Sequence, residues 1–309
     1  MQILRQFESI AHEGRPVYCA IGMFDGLHQG HQLLLNHITK QAEAESGLAI
    51  VLTFQEHPAQ ILAPAHSPGL IYPQSVKEEL LKNSGLDMAW IVPFDKGIST
   101  MDATSFIQKI KHHCGNLAGI CVGDNFAFGH RRSGDAELLR HLGREWGFHA
   151  ECKPAVLCDG QVVSSTRIRN LISDGDLTQA SRLLGRPYCL AGEIIRGDGL
   201  GRQLGYPTAN LDCQQLTRPP SGVYAVRASV RERELDGVLN IGTRPTLNHP
   251  TPKLQVEAHF WNLEDDIYGD VLSLEIRGRI RDEQRFPDID ALKKQIKCDI
   301  QTAKSILIG

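Results

Sequence analysis

From Val17 to about Ala155 the chain alternates short apolar runs with helical patterns, and few folds accept such an alternation. The runs Val17–Ile21, Leu48–Phe54, 89–93 and 117–122 are separated by helical periodicity near 29–46, 75–84 and 102–113. A further helix near 135–146 leads to a last short strand. Near-continuous apolar strands joined by helix-length crossovers specify a parallel sheet with helices on both faces. In such sheets ligands lie beyond the carboxyl ends of the strands, at a switch in strand order. Three loops occupy such ends: residues 22–31, Thr53-Phe54-Gln55-Glu56-His57-Pro58 and Gly123-Asp124-Asn125. They are expected to converge.

The first of these loops reads GMFDGLHQGH, a glycine-bearing turn that opens a helix. His28 and His31 stand three apart, so both imidazoles can face one point before the helix N-terminus. Free backbone N–H groups and the positive dipole end point there as well, which suits phosphate. Histidines so placed can donate to the charge that develops when a nucleoside triphosphate is attacked. The chemistry suggested is nucleotidyl transfer. Taken alone, Gly26 and Gly30 only shape a turn and the imidazoles are solvated. A second segment of matching logic argues otherwise. Ser164-Ser165-Thr166 opens another helical stretch, and Arg169 projects a bidentate fork from its first turn. By itself that segment reads as an N-cap with a solvated arginine. His57 is either aimed at the crevice or a turn histidine, and Asp25 either helps hold Mg²⁺ or caps the turn.

Two helical stretches, 167–173 and 176–184, precede Gly185-Arg186-Pro187, a helix stop and linker. A chain of 309 residues exceeds the usual single core of roughly 250 residues, and the boundary is placed there, giving domains 1–186 and 187–309. Beyond it the texture changes to strands at 188–195, Gly222–Val230, 234–241, Lys253–Phe260 and 271–280, the spacing of a small antiparallel Greek-key barrel. The stretch 289–308 has helical periodicity and is expected to pack across the barrel as a lid or brace. Net charge is −3 with no basic block, which argues against a nucleic-acid partner. No run approaches the about 18 apolar residues of a membrane span, and nothing near Met1 reads as a signal peptide, so a cytoplasmic protein is expected. The eight cysteines include no Cys-x-x-Cys pair and read as reduced thiols.

In the second half, residues 197–205 are glycine-dense, which lets backbone N–H groups approach phosphate closely. The segment is neither a Walker A sequence nor a dinucleotide fingerprint. Thr208 and Asn210 offer hard oxygen donors suited to Mg²⁺ on ATP phosphates, or else form a polar turn after Pro207. In the strand Lys253–Phe260, alternation puts Gln255, Glu257 and His259 on one face. On that pattern alone Glu257 is an ordinary solvent-facing residue.

GMFDGLHQGH, TFQEHP, GDNFAFGHRRSG and VSSTRIR resemble, in order, the adenylyltransferase motifs of the prokaryotic bifunctional riboflavin kinase and FAD synthetase family. GRQLGYPTAN, LNIGTRPT, VEAHFWNLEDDIYG and the terminal helix are similar to its kinase half, so the resemblance covers nearly the whole chain. It implies a Rossmann-like nucleotidyltransferase domain that moves AMP from ATP to FMN, followed by a β-barrel that phosphorylates riboflavin. His28, His31 and Arg169 would then act on the ATP phosphates. Gly22, Phe24, Asp25, Gly30, His57, Asn125, Phe128, Ser165 and Thr166 would contact nucleotide or flavin, with Arg132 closing from a mobile flap. In the barrel Gly199, Gly201, Arg202, Gly205 and Asn210 would cradle ATP, Thr208 and Asn210 would hold Mg²⁺, and Glu257 would be the acid–base group. Riboflavin, FMN and ATP are the implied partners. Two readings of other classes compete with this one. A tRNA-directed ligase, which shares the His-x-Gly-His site, is expected to show a basic face and a Lys-Ser-Lys-type loop, and neither is seen. A non-catalytic flavin-binding barrel would leave the first half without purpose.

Overall fold

A computed structural model describes residues 1–309 except 11, 12, 198, 231, 232, 245–252, 262, 264–266 and 309. Chain contacts divide these into two compact units, 1–70 with 74–167 and 71–73 with 168–309. Asp198 of the glycine-dense segment, the Pro245-Thr246 end of LNIGTRPT, and Asn262, Glu264, Asp265 and Asp266 of VEAHFWNLEDDIYG lie outside the described residues.

The first unit runs β1 (Gln2–Leu4), β2 (Val17–Ile21), α1 (Gln29–Ala44), β3 (Leu48–Phe54), α2 (Pro58–Leu62), α3 (Gln74–Lys82), β4 (Met88–Val92), α4 (Lys96–Thr100), α5 (Ala103–Cys114), β5 (Leu117–Gly123), α6 (Ala136–Trp146) and β6 (His149–Lys153). A small hairpin, β7 (Leu157–Cys158) with β8 (Gln161–Val162), leads to α7 (Ser165–Asp174), at which the unit ends. All six main strands pair in parallel in the order β1-β4-β3-β2-β5-β6. Every residue of β2 is buried, and its alternation feeds two cores. Cys19 and Ile21 pack with Ile50, Phe106 and Ile107 on one face, while Tyr18 and Ala20 join Val51, Leu35 and Ile38 of α1 on the other. The chain builds outward from β2 through β3 to β4, then returns to lay β5 on the opposite side. The switch in strand order therefore falls at β2, beside the GMFDGLHQGH turn. The strand β1, at the far edge, was not expected from the sequence.

The second unit continues through α8 (Leu177–Leu184), β9 (Cys189–Ile195), α9 (Leu200–Leu204), β10 (Ala209–Asp212), β11 (Gly222–Val230), β12 (Arg233–Arg244), β13 (Lys253–Phe260), β14 (Val271–Arg281) and α10 (Ile289–Ile308). The barrel is closed in the order β10-β13-β12-β11-β14-β9. The meander β11-β12-β13 with β14 returned beside β11 is the Greek-key arrangement. Six strands close it where the sequence suggested five. The additional one is β10, formed where a polar turn after Pro207 was the other reading of Thr208 and Asn210. The helix α10 braces the barrel, with Ala303 buried against Ala225 and Val238. Arg281, at the end of β14, holds the buried Asp299 of α10 through Nε–Oδ1 at 2.9 Å and a second guanidinium nitrogen on Oδ2 at 2.8 Å. Residues 71–73 belong to this unit, and Tyr72 stacks on Tyr188 at 6.2 Å. Among the described residues no helix is long and apolar enough to cross a membrane.

Candidate active sites

In the first unit the three strand-end loops meet around a pocket of ≈ 550 Å³ lined by Gly22, Phe54, His57, Asn125, Phe128 and Arg132, among others. The turn entering α1 is wound tightly: Phe24 (φ 51), Gly26 (φ 78) and Leu27 (φ 39) all take positive φ, a conformation free of strain only at the glycine. Three side chains pin its carbonyls. Thr53 Oγ1 donates to Met23 at 3.0 Å, Ser165 Oγ to Asp25 at 3.0 Å and Gln32 Nε2 to Leu27 at 2.8 Å. His28 is the N-cap of α1, and its Nδ1 accepts the His31 N–H at 3.4 Å. That bond places the proton of a neutral His28 ring on Nε2. The two imidazoles stack with centroids 3.7 Å apart, so they act as one block. Gly30 makes room for it, since a Cβ there would stand 3.2 Å from the His28 ring. Phe24 is fully buried and packs with its ring centroid 5.0 Å from that of His31; neither it nor the two histidines are among the residues lining that pocket.

The Ser164-Ser165-Thr166 segment forms the N-cap that was one of its two readings. Ser164 Oγ caps α7 by accepting the Arg167 N–H at 3.2 Å, while the Ser165 hydroxyl is engaged on the Asp25 carbonyl. Thr166 is exposed, and Arg169 is half-buried one helical turn beyond Ser165. His57 Nδ1 accepts the Ala59 N–H at 3.1 Å as the cap of α2, and the residue is among those lining the pocket. The 123–134 loop, expected as a mobile flap, is fastened. Phe128 and Gly134 exchange backbone bonds at 3.0 and 2.9 Å, and His130 N–H donates to Met101 at 2.7 Å. A Cβ on Gly129 or Gly134 would lie 2.5 or 2.6 Å from Ala103. Arg131 and Arg132 stand exposed in the left-handed region at φ 54 and 59, strain that the anchored base sustains.

In the barrel two pockets meet at Thr208. One, of ≈ 290 Å³, is lined by Arg202, Pro207, Thr208, Ala258, Phe260 and Tyr268 among others. The other, of ≈ 360 Å³, takes in Gly201, Thr208, Asn240, Gln255, Glu257 and His259, and the α10 residues Leu292, Ile296 and Asp299. The alternation of β13 thus turns Glu257 toward one pocket and Ala258 toward the other. Glu257 lies in register between Asn210 on β10 and Asn240 on β12, a rung of two amides flanking one carboxylate. Gly199 and Gly205 bracket α9 in the left-handed region at φ 72 and 88, which shapes the glycine-dense segment as a short helical hook.

Two family profiles fit this division. The profile described as FAD synthetase matches residues 10–167, and the profile described as riboflavin kinase matches 184–307. The bifunctional riboflavin kinase/FMN adenylyltransferase of Haemophilus influenzae is 33% identical over 306 residues, covering 99% of each chain. This chain belongs to that bifunctional family. The Escherichia coli K12 relative is 36% identical over 286 residues, 92% of this chain and 90% of its own. A solved structure described as a macrolide-efflux protein from Streptococcus pneumoniae aligns with TM-score 0.79 and 28% identity, covering 98% of each chain. That description concerns the pneumococcal protein, and the likeness here is one of fold.

Two residues that sequence reasoning named only within longer segments, and one that it passed over, stand out in the structure. Asn240 completes the rung beside Glu257, and alternation along LNIG carries no hint of a partner strand. A Cβ on Gly197 would stand 2.2 Å from the Asn210 amide, so that glycine is required by close approach. Lys77 is only 7% exposed and donates from Nζ to the Phe54 carbonyl at 2.9 Å.

Proposed function

We propose that residues 1–186 transfer AMP from ATP to the phosphate of FMN, giving FAD and pyrophosphate, and that residues 187–309 phosphorylate riboflavin to FMN. The observation that carries the reading is the presence, in one chain, of a stacked histidine pair at a helix start on a strand-order switch and of a carboxylate in one of two barrel pockets that share Thr208. The FMN phosphate is already an anion at neutral pH, so its attack on the α-phosphorus needs alignment and charge stabilisation and no base. His28 and His31 supply donors to that charge, with Arg169 as a second clamp. The pocket lined by Phe54, Asn125, Phe126 and Phe128 is the flavin site, with aromatic rings at 5.3 Å (Phe126 to Phe128) on one wall.

Riboflavin's 5′-hydroxyl must lose a proton as it attacks the γ-phosphorus, and Glu257 takes that proton. ATP occupies the pocket edged by Arg202 and Tyr268, riboflavin the one lined by Glu257 and α10, and Thr208 stands between them. Thr208 and Asn210 together provide two neutral hard oxygens and no carboxylate, a donor set that fits Mg²⁺ carried mainly by ATP phosphates. When bound there, the ion offsets phosphate charge. The enzyme works in the cytoplasm.

The test is incubation of the purified chain with riboflavin, ATP and Mg²⁺, followed by separation of flavins. FMN and then FAD should appear, both should stop on chelation, and both should return with added Mg²⁺; a chain that makes neither product overturns the proposal. Gly201→Ala supplies a sharper check on the barrel. Its Cβ would lie 2.5 Å from the Tyr206 carbonyl, which must move, and 3.0 Å from Thr208 Oγ1, so the 206–208 segment that places Thr208 shifts with it. Displacement on the order of 1 Å costs about 100-fold in rate. Riboflavin phosphorylation should fall by that much, with FMN adenylylation unchanged in a coupled pyrophosphate assay.

A further inference from the structure

Lysine is rarely buried without a partner that needs its charge. Lys77 is 7% exposed on a short amphipathic helix, α3, and its Nζ donates to the carbonyl of Phe54, the last residue of β3, at 2.9 Å. The side chain also lies within the field of Asp25, itself 5% exposed, in the turn between β2 and α1. A single ammonium is therefore fixed at one strand end and acts electrostatically on the turn that follows the neighbouring strand. The strand end leads into the His57 loop and the turn into the histidine pair.

The turn needs such a fastening. Phe24 and Leu27 hold positive φ there without being glycine, and strain of this kind persists only where the surroundings over-determine it. Three neutral hydrogen bonds hold its carbonyls, and α3 sets the Lys77 charge in the field of the buried Asp25 carboxyl.

We propose that Lys77 is a positioning residue for nucleotidyl transfer, fastening the 24–28 turn and the end of β3 to one another and so fixing where the His28–His31 pair stands. The inference rests on the reading of this unit as an FMN adenylyltransferase. Burial pushes the ammonium down to about 8, opposed by Asp25 and Glu78, so it is mostly charged at neutral pH. The other groups nearby are engaged elsewhere. Glu78 is paired with Arg5 at 2.5 and 2.9 Å, Glu56 accepts the Phe94 N–H at 3.3 Å, and His57 caps α2. Of the two carboxylates that favour its charge, Asp25 acts more strongly than Glu78.

The experiment is a double-mutant cycle of Lys77→Met and Asp25→Asn in the full chain, with both activities assayed on each variant. Misplacing a reacting group by about 1 Å costs on the order of 100-fold, so Lys77→Met should lower kcat for FAD formation about 100-fold with KM for FMN little changed. Riboflavin phosphorylation in that variant should stay at the wild-type rate. Adding Asp25→Asn to Lys77→Met should cost far less than Asp25→Asn costs in the wild type, because the pair acts as a unit. If Lys77→Met does not fold, Lys77→Gln, which keeps an N–H but no charge, takes its place in the cycle. Additive effects, equal loss of both activities in a folded chain, or wild-type FAD formation in the lysine variant each overturn the proposal. A wild-type chain that makes no FAD would instead remove the underlying reading.

Discussion

Replacing His28 and His31 together by alanine should abolish FAD formation while FMN formation from riboflavin continues at the wild-type rate. Removal of one preorganised donor to a developing oxyanion costs about 10² to 10³ in kcat. The rings stack at 3.7 Å and are joined by the His28 Nδ1 bond to the His31 N–H, so they respond as one block. Each single alanine variant should therefore fall nearly as far as the double, at about 10³-fold, in the manner of residues that act as a unit. Unfolding does not explain such a loss. His28 is an N-cap, and losing a cap costs about 1 kcal/mol of a stability of roughly 5–15 kcal/mol. His28→Asn makes the distinction direct, since asparagine caps a helix well yet lacks the imidazole. That variant should melt near the wild-type temperature and still make no FAD. FAD formation within tenfold of wild type, or parallel loss of FMN formation, would remove the pair from the mechanism.

What local sequence reveals and what it hides follows from which interactions are local. The strand β2 was legible because a parallel strand in a covered sheet is buried on both faces, and Val17-Tyr18-Cys19-Ala20-Ile21 is apolar throughout. The strand β10 was not. Its four residues follow Pro207 in polar company, and they become a strand only by pairing with Glu257 and Ala258 on one side and Glu193, Ile194 and Ile195 on the other. The same holds for β1, three residues paired to Met88, Ala89 and Trp90. Spacing placed His28 and His31 on one side of a helix, but not in a stack. The Ser165 hydroxyl read as a free phosphate donor because the Asp25 carbonyl that accepts it lies far away in sequence. Lys77 was passed over, since nothing within α3 reports that its Nζ meets the Phe54 carbonyl. Chemistry was legible wherever motif and strand end coincide, and hidden wherever a side chain is occupied by a distant backbone group.

Glu257 is where that boundary matters most, and Glu257→Gln should reverse the pattern of the histidine variant. Alternation along β13 separates Gln255, Glu257 and His259 from Val256, Ala258 and Phe260, yet it does not say which face meets water. Barrel closure decides it by setting the carboxylate between Asn210 and Asn240, and α10 covers the pocket in front. Glutamine has the same shape and leaves the backbone pairing with Asn210 and Asn240 intact, so the rung and the barrel should survive with little change in melting temperature. It cannot take the proton of the riboflavin 5′-hydroxyl. A positioned base contributes about 10² to 10⁴ in rate, and kcat for FMN formation should fall by that factor with KM for riboflavin nearly constant. FMN supplied directly should still be converted to FAD, because the phosphate that attacks there carries its own charge. A wild-type kinase rate in Glu257→Gln would show that the hydroxyl loses its proton by another route. Loss of adenylylation alongside it would mean that the carboxylate holds the fold together and has no part in the chemistry.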